Sequence, residues 1–147
     1  MEFRRSAEGR VERAVDVRAS DIATSTFGWA VGALSQLLGV PGVQTVAVSS
    51  MGADGQRGSV ILVHLHSTVE TETIADGSGG FGAGLLSEND EFGSSIAGLG
   101  DLDGDGSQDM AVGARGYDGL TSDDGAIWIL FLRSGRLDVS RDRVIGW

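Results

Sequence analysis

The chain has 147 residues, 41% of them hydrophobic and 22% charged, which is one ordinary globular domain long enough to bury a core without disulfide staples. Its formal net charge of -10, with all eleven basic residues arginine, leaves no basic footprint for nucleic acid or anionic lipid, and no apolar run reaches the roughly 18 residues of a membrane-spanning helix. With 24 glycines, one proline and no cysteine, the composition points to short strands joined by tight turns, an all-β domain whose redox compartment cysteine does not fix.

The opening MEFRRSAEGR lacks the apolar core of a signal peptide, and MEF reads as a cloning remnant on an excised piece of a longer protein. The first candidate element, at about 9–18, fits two readings. Val15 and Val17 alternate as in an extra outer strand, whereas Val11, Ala14, Val15 and Arg18 sit at helical spacing. Beyond it the sequence repeats itself. FGWAVGAL at 27–34 matches FGSSIAGL at 92–99, VQTVAVSS at 43–50 matches SQDMAVGA at 107–114, and GSVILVHLH at 58–66 matches GAIWILFLR at 125–133. Each matched piece is rich in β-branched or aromatic residues and bounded by Gly, Asp or Ser. A fourth, charge-alternating strand suits TVETETIAD at 68–76 and RLDVSRDRVIG at 136–146, as at a solvent-facing edge. The chain is therefore expected to form two four-stranded antiparallel meanders, repeat 1 at about 27–76 and repeat 2 at about 92–146.

Charge is concentrated in the second half, where residues 76–124 hold eleven Asp and Glu against Arg115 alone. Its densest part is GDLDGDGSQD at 100–109, between the first and second strands of repeat 2. Counting Asp101 as position one puts Asp103 at three, Asp105 at five, Gly106 at six, Ser107 at seven and Asp109 at nine. Alternate positions of a curled loop turn side-chain oxygens inward, a glycine at six permits the sharp turn, and the carbonyl at seven adds a ligand. So many hard oxygens suit Ca²⁺ better than Mg²⁺. A helix-loop-helix calcium site is excluded, because it needs a Glu at position twelve and that position is Val112.

The ordered set FG, GDLDGDGSQDMAVGA, YDG and GAIWILFL resembles the FG-GAP repeat of integrin α-subunit propellers and related bacterial surface proteins. The resemblance covers 92–132 strongly and 27–65 in degenerate form. It implies propeller-type blades and one Ca²⁺ per chain, held by the side chains of Asp101, Asp103, Asp105 and Asp109 with the Ser107 carbonyl. Repeat 1 carries SQLLGVPGVQT instead, with Gln36, Leu38, Val40 and Thr45 near the ligand positions, so no metal is expected there. Arg115 stands where the family has the proline of its G-A-P.

The resemblance implies a non-catalytic interaction or adhesion module at a bacterial cell surface or in a secreted protein, with a protein or glycan ligand, no nucleic acid and no membrane insertion. An accessory domain of a larger extracellular hydrolase is the alternative. Family propellers close with several blades and this chain supplies two, so a homo-oligomer is expected, a dimer before a trimer. Other candidate sites read as structural: His64 and His66 as packing residues on a strand rather than a metal pair, and Trp128 as core rather than a sugar-stacking partner of Trp29 and Trp147. Glu88, Asp90 and Glu91 read as a solvated loop rather than paired carboxylates for glycosidic chemistry.

Overall fold

Both repeats fold as antiparallel meanders. The computed structural model describes residues 26–35, 42–52, 54–66, 69–119, 122–133 and 142–146. Repeat 1 forms β1 (Phe27–Ser35), β2 (Gln44–Ser50), β3 (Ser59–Leu65) and β4 (Val69–Ile74), and repeat 2 forms β5 (Phe92–Gly100), β6 (Asp109–Ala114), β7 (Ala126–Leu130) and β8 (Asp142–Gly146). The strands lie in chain order in two four-stranded sheets, hereafter blade 1 and blade 2. The expected all-β, two-blade fold is thus observed, and no helix occurs among the described residues. The segment at about 9–18, Trp147 and the loop positions Gln36, Leu38 and Val40 lie outside the described residues.

Each FG dipeptide opens its blade with the same irregularity. Phe27 pairs with Ser50 and Val31 with Val48, while Phe92 pairs with Ala114 and Ser95 with Gly113. In both cases the first strand holds two more residues than its partner over that interval, a bulge. Gly28 and Gly93 take φ of 88° and 98° there, a region that residues with a Cβ enter only with strain.

The core lies between the blades. Alternation along β3 sends Val60 and Leu62 to the same cluster as Met110, Val112, Trp128 and Leu130 of blade 2. Phe81, from the connection between the blades, caps this layer with its ring 5.2 Å from that of Phe92 and 4.9 Å from that of Trp128. Such tilted and edge-on pairs add about 0.5–1.5 kcal/mol each to the burial of the rings themselves. Trp128 is accordingly core, as expected, while Trp29 on β1 is 58% exposed.

On the other face of blade 1, Val48, Ile61 and Val63 form a second buried cluster with Phe27, Val46 and Leu65 against it, while Val31 of β1, paired with Val48, is 62% exposed. Blade 2 differs. Ile127, which the register places on its outward face opposite Gly113, is 49% exposed. The exposed apolar side chains of the two outer faces thus sit on different strands, Val31 on β1 and Ile127 on β7.

Candidate metal centre

The β5–β6 loop is shaped by its own aspartates. Asp101 accepts the N–H groups of Gly104 (2.7 Å) and Asp105 (3.1 Å) on Oδ1 and that of Gly106 (2.9 Å) on Oδ2. Asp103 Oδ1 accepts Asp105 N–H at 3.3 Å and Asp105 Oδ1 accepts Ser107 N–H at 2.7 Å. A carboxylate that binds the N–H two residues on replaces a backbone turn, so alternate aspartates curl the chain step by step. Gly104 and Gly106, at φ of 79° and 91°, supply the conformations the curl requires.

Asp109 anchors the loop from below. It is fully buried, with Oδ2 accepting Leu102 N–H at 2.8 Å and Oδ1 accepting Leu132 N–H at 3.0 Å. One carboxylate therefore ties the start of the loop to the end of β7.

The structure brings three of the five expected ligand residues together. Carboxylate oxygens of Asp101, Asp103 and Asp109 lie within 4.8 Å of one another, the first two exposed and the third buried. Asp105 stands outside this group, with Oδ2 3.7 Å from Arg133 Nε. Ser107 is buried and its Oγ has no hydrogen-bond partner. Arg133 was missed in the sequence because it lies 28 positions beyond Asp105 and meets it only through the fold; its place just past β7, beside Leu132, was the available signal.

Three unit charges this close repel. At 4.8 Å each pair costs about 1 kcal/mol in bulk water and about 3–4 at the effective dielectric constant of a protein surface. Five backbone N–H donors offset part of that cost, and a cation would remove the rest. The donor set is oxygen throughout, with no imidazole or thiolate, which fits Ca²⁺ and not a softer transition metal.

The first blade has no counterpart to this cluster among the described residues. Thr45, near a ligand position by repeat alignment, is buried with Oγ1 2.9 Å from His64 Nδ1, its direct cross-strand neighbour. His64 is thus a buried packing residue, as expected; its Nε2 lies 4.0 Å from Glu72, while His66 Nε2 lies 3.8 Å from Glu70.

Asp90 and Glu91 correct the expectation of a solvated loop, whereas Glu88 is exposed as expected. Asp90 is 1% exposed, and loss of water raises its carboxyl pKa, with Asp118 and Asp76 adding to this against the opposing Ser87 N–H and Arg57. Glu91 forms a two-point pair with Arg115, Nε to Oε2 and Nη2 to Oε1, which holds its carboxyl below the ordinary range. Arg115, at the proline position of the family pattern, thus has a partner to hold.

In comparisons with known proteins, residues 92–130 match the sequence model of the FG-GAP repeat, the span from β5 to the end of β7 that contains the acidic loop. No curated protein matches the chain significantly. No helix among the described residues is long and apolar enough to cross a membrane.

Proposed function

With blade 2 an FG-GAP repeat, we propose that the chain is a Ca²⁺-binding, non-catalytic interaction module of a bacterial surface or secreted protein. The observation that carries the calcium half is the convergence of Asp101, Asp103 and Asp109 within 4.8 Å in a loop whose backbone donors already face them. These three carboxylates would hold the ion, and Asp105 and the Ser107 carbonyl would complete the set that the resemblance implies. Bound there, Ca²⁺ supplies charge neutralisation and rigidity, not chemistry. Asp109 passes that rigidity to β7 through Leu132. The interaction half rests on the fold, since propeller-type blades present loops at both strand ends, and on the setting in which such repeats typically occur, outside the cell. A homo-dimer through the open face of blade 2 belongs to the same reading.

Calorimetric titration with Ca²⁺ and melting with and without chelator test it. We expect about one ion per chain with Kd on the order of 10⁻⁴ to 10⁻³ M, as in extracellular modules. At ~1 mM Ca²⁺ and a Kd near ~0.1 mM, mass action adds roughly 1.4 kcal/mol of stability. An unchanged melting temperature, or Mg²⁺ binding as well as Ca²⁺, would reject the calcium half.

A further inference from the structure

At the end of the blades opposite the acidic loop, a groove lies between blade 1 and blade 2. It consists of two adjoining hollows of about 550 and 330 Å³ that share Gln56, Glu91 and Arg115. Their volumes suit a small ligand. The metal loop follows Gly100 and this groove adjoins Glu91, so the length of β5, about 25 Å at roughly 3.3 Å per residue, separates the two sites.

The walls are preorganised. Asn89 N–H donates to the Gly55 carbonyl (3.2 Å), Glu91 N–H to that of Gln56 (2.9 Å) and Phe92 N–H to that of Arg57 (2.9 Å), which staples the β2–β3 turn of blade 1 to the segment entering blade 2. Backbone strain gathers here too. Six non-glycine residues among those described have positive φ, and five of them line the groove: Thr26, Gln56, Asn89, Glu91 and Asp123. Thr26 is β-branched at φ 75°, and Gly52 N–H bonds its hydroxyl at 2.8 Å. Residues are held in such conformations only where their surroundings over-determine them, a recurrent property of ligand clamps.

The chemistry of the lining selects a ligand class. Trp29 offers a broad apolar plate, 58% exposed. Arg115 and Glu91 neutralise each other, and two of the five guanidinium N–H groups serve that pair, leaving donors for a ligand. Gln56 and Asn89 add amide groups that both donate and accept. The chain's charge of -10 disfavours anions, and in the hollow that Trp29 lines the only charged groups, Arg115 and Glu91, compensate each other, so no net charge there calls for a charged ligand. A plate for a C–H face, beside planar groups that bond paired hydroxyls, fits a neutral pyranose. The geometry points to this inter-blade groove as a binding site for a neutral saccharide, stacked on Trp29 and hydrogen-bonded by Arg115 and its neighbours. This rests on the interaction reading above and narrows its ligand, and it does not involve the cation loop.

The test is a screen of the full chain against an array of neutral mono- and oligosaccharides, followed by titration with the best methyl glycoside, in Ca²⁺ and in chelator. Retention of a neutral saccharide is expected, with affinity at least tenfold weaker in Trp29→Ala and Arg115→Ala and within about threefold of the parent in Trp29→Phe. Circular dichroism checks that each variant is folded, and Trp29→Phe against Trp29→Ala remains decisive if Arg115→Ala is not. The proposal is overturned if no neutral saccharide is retained at millimolar concentration, if Trp29→Ala binds like the parent, or if the array captures only charged ligands. Saccharide binding without a calcium response would sink the metal reading alone, and a calcium response without saccharide binding would sink this one alone.

Discussion

Asp109 and Leu132 are joined by a buried hydrogen bond, Leu132 N–H to Asp109 Oδ1 at 3.0 Å, while the second oxygen of the same carboxylate holds Leu102 N–H. The residue is therefore both a ligand candidate and a fastener of the sheet, unlike Asp103, which is exposed. Asp109→Ala should lower stability by about 2–4 kcal/mol even in chelator, because a buried donor and a half-buried one lose their partner. Asp103→Ala should change stability in chelator by less than about 0.5 kcal/mol, yet abolish the calcium-dependent rise in melting temperature. Denaturant titration of both variants with and without Ca²⁺ separates the roles, and equal losses in chelator would mean that Asp109 has no structural part.

Two glycines with nearly the same dihedral should respond very differently to a methyl group. Gly58 and Gly106 have φ of 89° and 91°, so alanine at either costs about 1–2 kcal/mol of backbone strain. A Cβ at Gly58 would also stand 2.1 Å from the Phe92 carbonyl oxygen, at the bridge that joins the two blades, whereas at Gly106 it meets open space. Gly58→Ala should therefore cost about 3–5 kcal/mol in all. Gly106→Ala should stay near 1–2 kcal/mol in chelator and impair calcium binding. Similar losses at both sites in urea denaturation would contradict the close approach of the blades.

What the sequence disclosed and what it withheld divide along sequence distance. The repeated FG segments, the period-two strands and the aspartates at one, three, five and nine are local patterns, and each recurs or sits between recognisable neighbours. The pairing of Glu91 with Arg115 is not local, though it was within reach. Once Phe92 is set opposite Ala114, the residues next to them, Glu91 and Arg115, must face each other. Asp90 could not be read, because its burial depends on the segment after β6, where Gly116 N–H bonds its carbonyl. The approach of Arg133 to Asp105 is non-local in the same way, since β7 brings it in. The groove has no sequence signature, since its walls come from the start of β1 and three separate loops.

Two buried or half-buried acids in the inter-blade connection should give opposite pH dependences. Burial alone would raise the Asp76 carboxyl, but the N–H groups of Gly84, Leu86 and Leu85, with Arg57, outweigh it and hold the pKa below the ordinary value. Its contribution is present above the unfolded-state pKa of about 4 and is lost as pH falls through the lower folded value. Asp90 has a raised pKa, so its folded form takes up a proton more readily than the unfolded chain; its charge destabilises at neutral pH, and acidification relieves this. Asp76→Asn should thus be less stable than the parent at pH 7, the deficit shrinking below about pH 4. Asp90→Asn keeps an acceptor for Ser87 N–H and should be at least as stable as the parent at pH 7, the advantage disappearing in acid. Urea midpoints at pH 7, 5 and 3.5 check both, and parallel curves for either variant and the parent would refute the assignment.

The last prediction concerns assembly. The outward rows of blade 2 run Ser95, Gly113, Ile127 and Ala97, Ala111, Ile129, small on the inner strands and apolar on β7. Four strands of about five residues, at roughly 3.3 Å per residue and 4.8 Å between strands, make a face of about 300 Å². Two such faces bury about 600 Å² together, below the roughly 1,200 Å² of stable interfaces, so the contact should be weak and concentration-dependent. Blade 1 offers a less continuous face, since Val48, Ile61 and Val63 on its middle strands are buried and the exposed apolar residue of their row is Val31 on β1. One continuous open face per chain gives a twofold contact that closes at two copies, whereas a ring of three needs two different faces on each. Light scattering should therefore report a mass rising from 15.2 kDa toward about 30 kDa between micromolar and millimolar concentration, and Ile127→Asp should hold it at 15.2 kDa. A mass that stays at 15.2 kDa throughout would reject the contact, and one near three chain masses would require the less continuous face of blade 1 to take part as well.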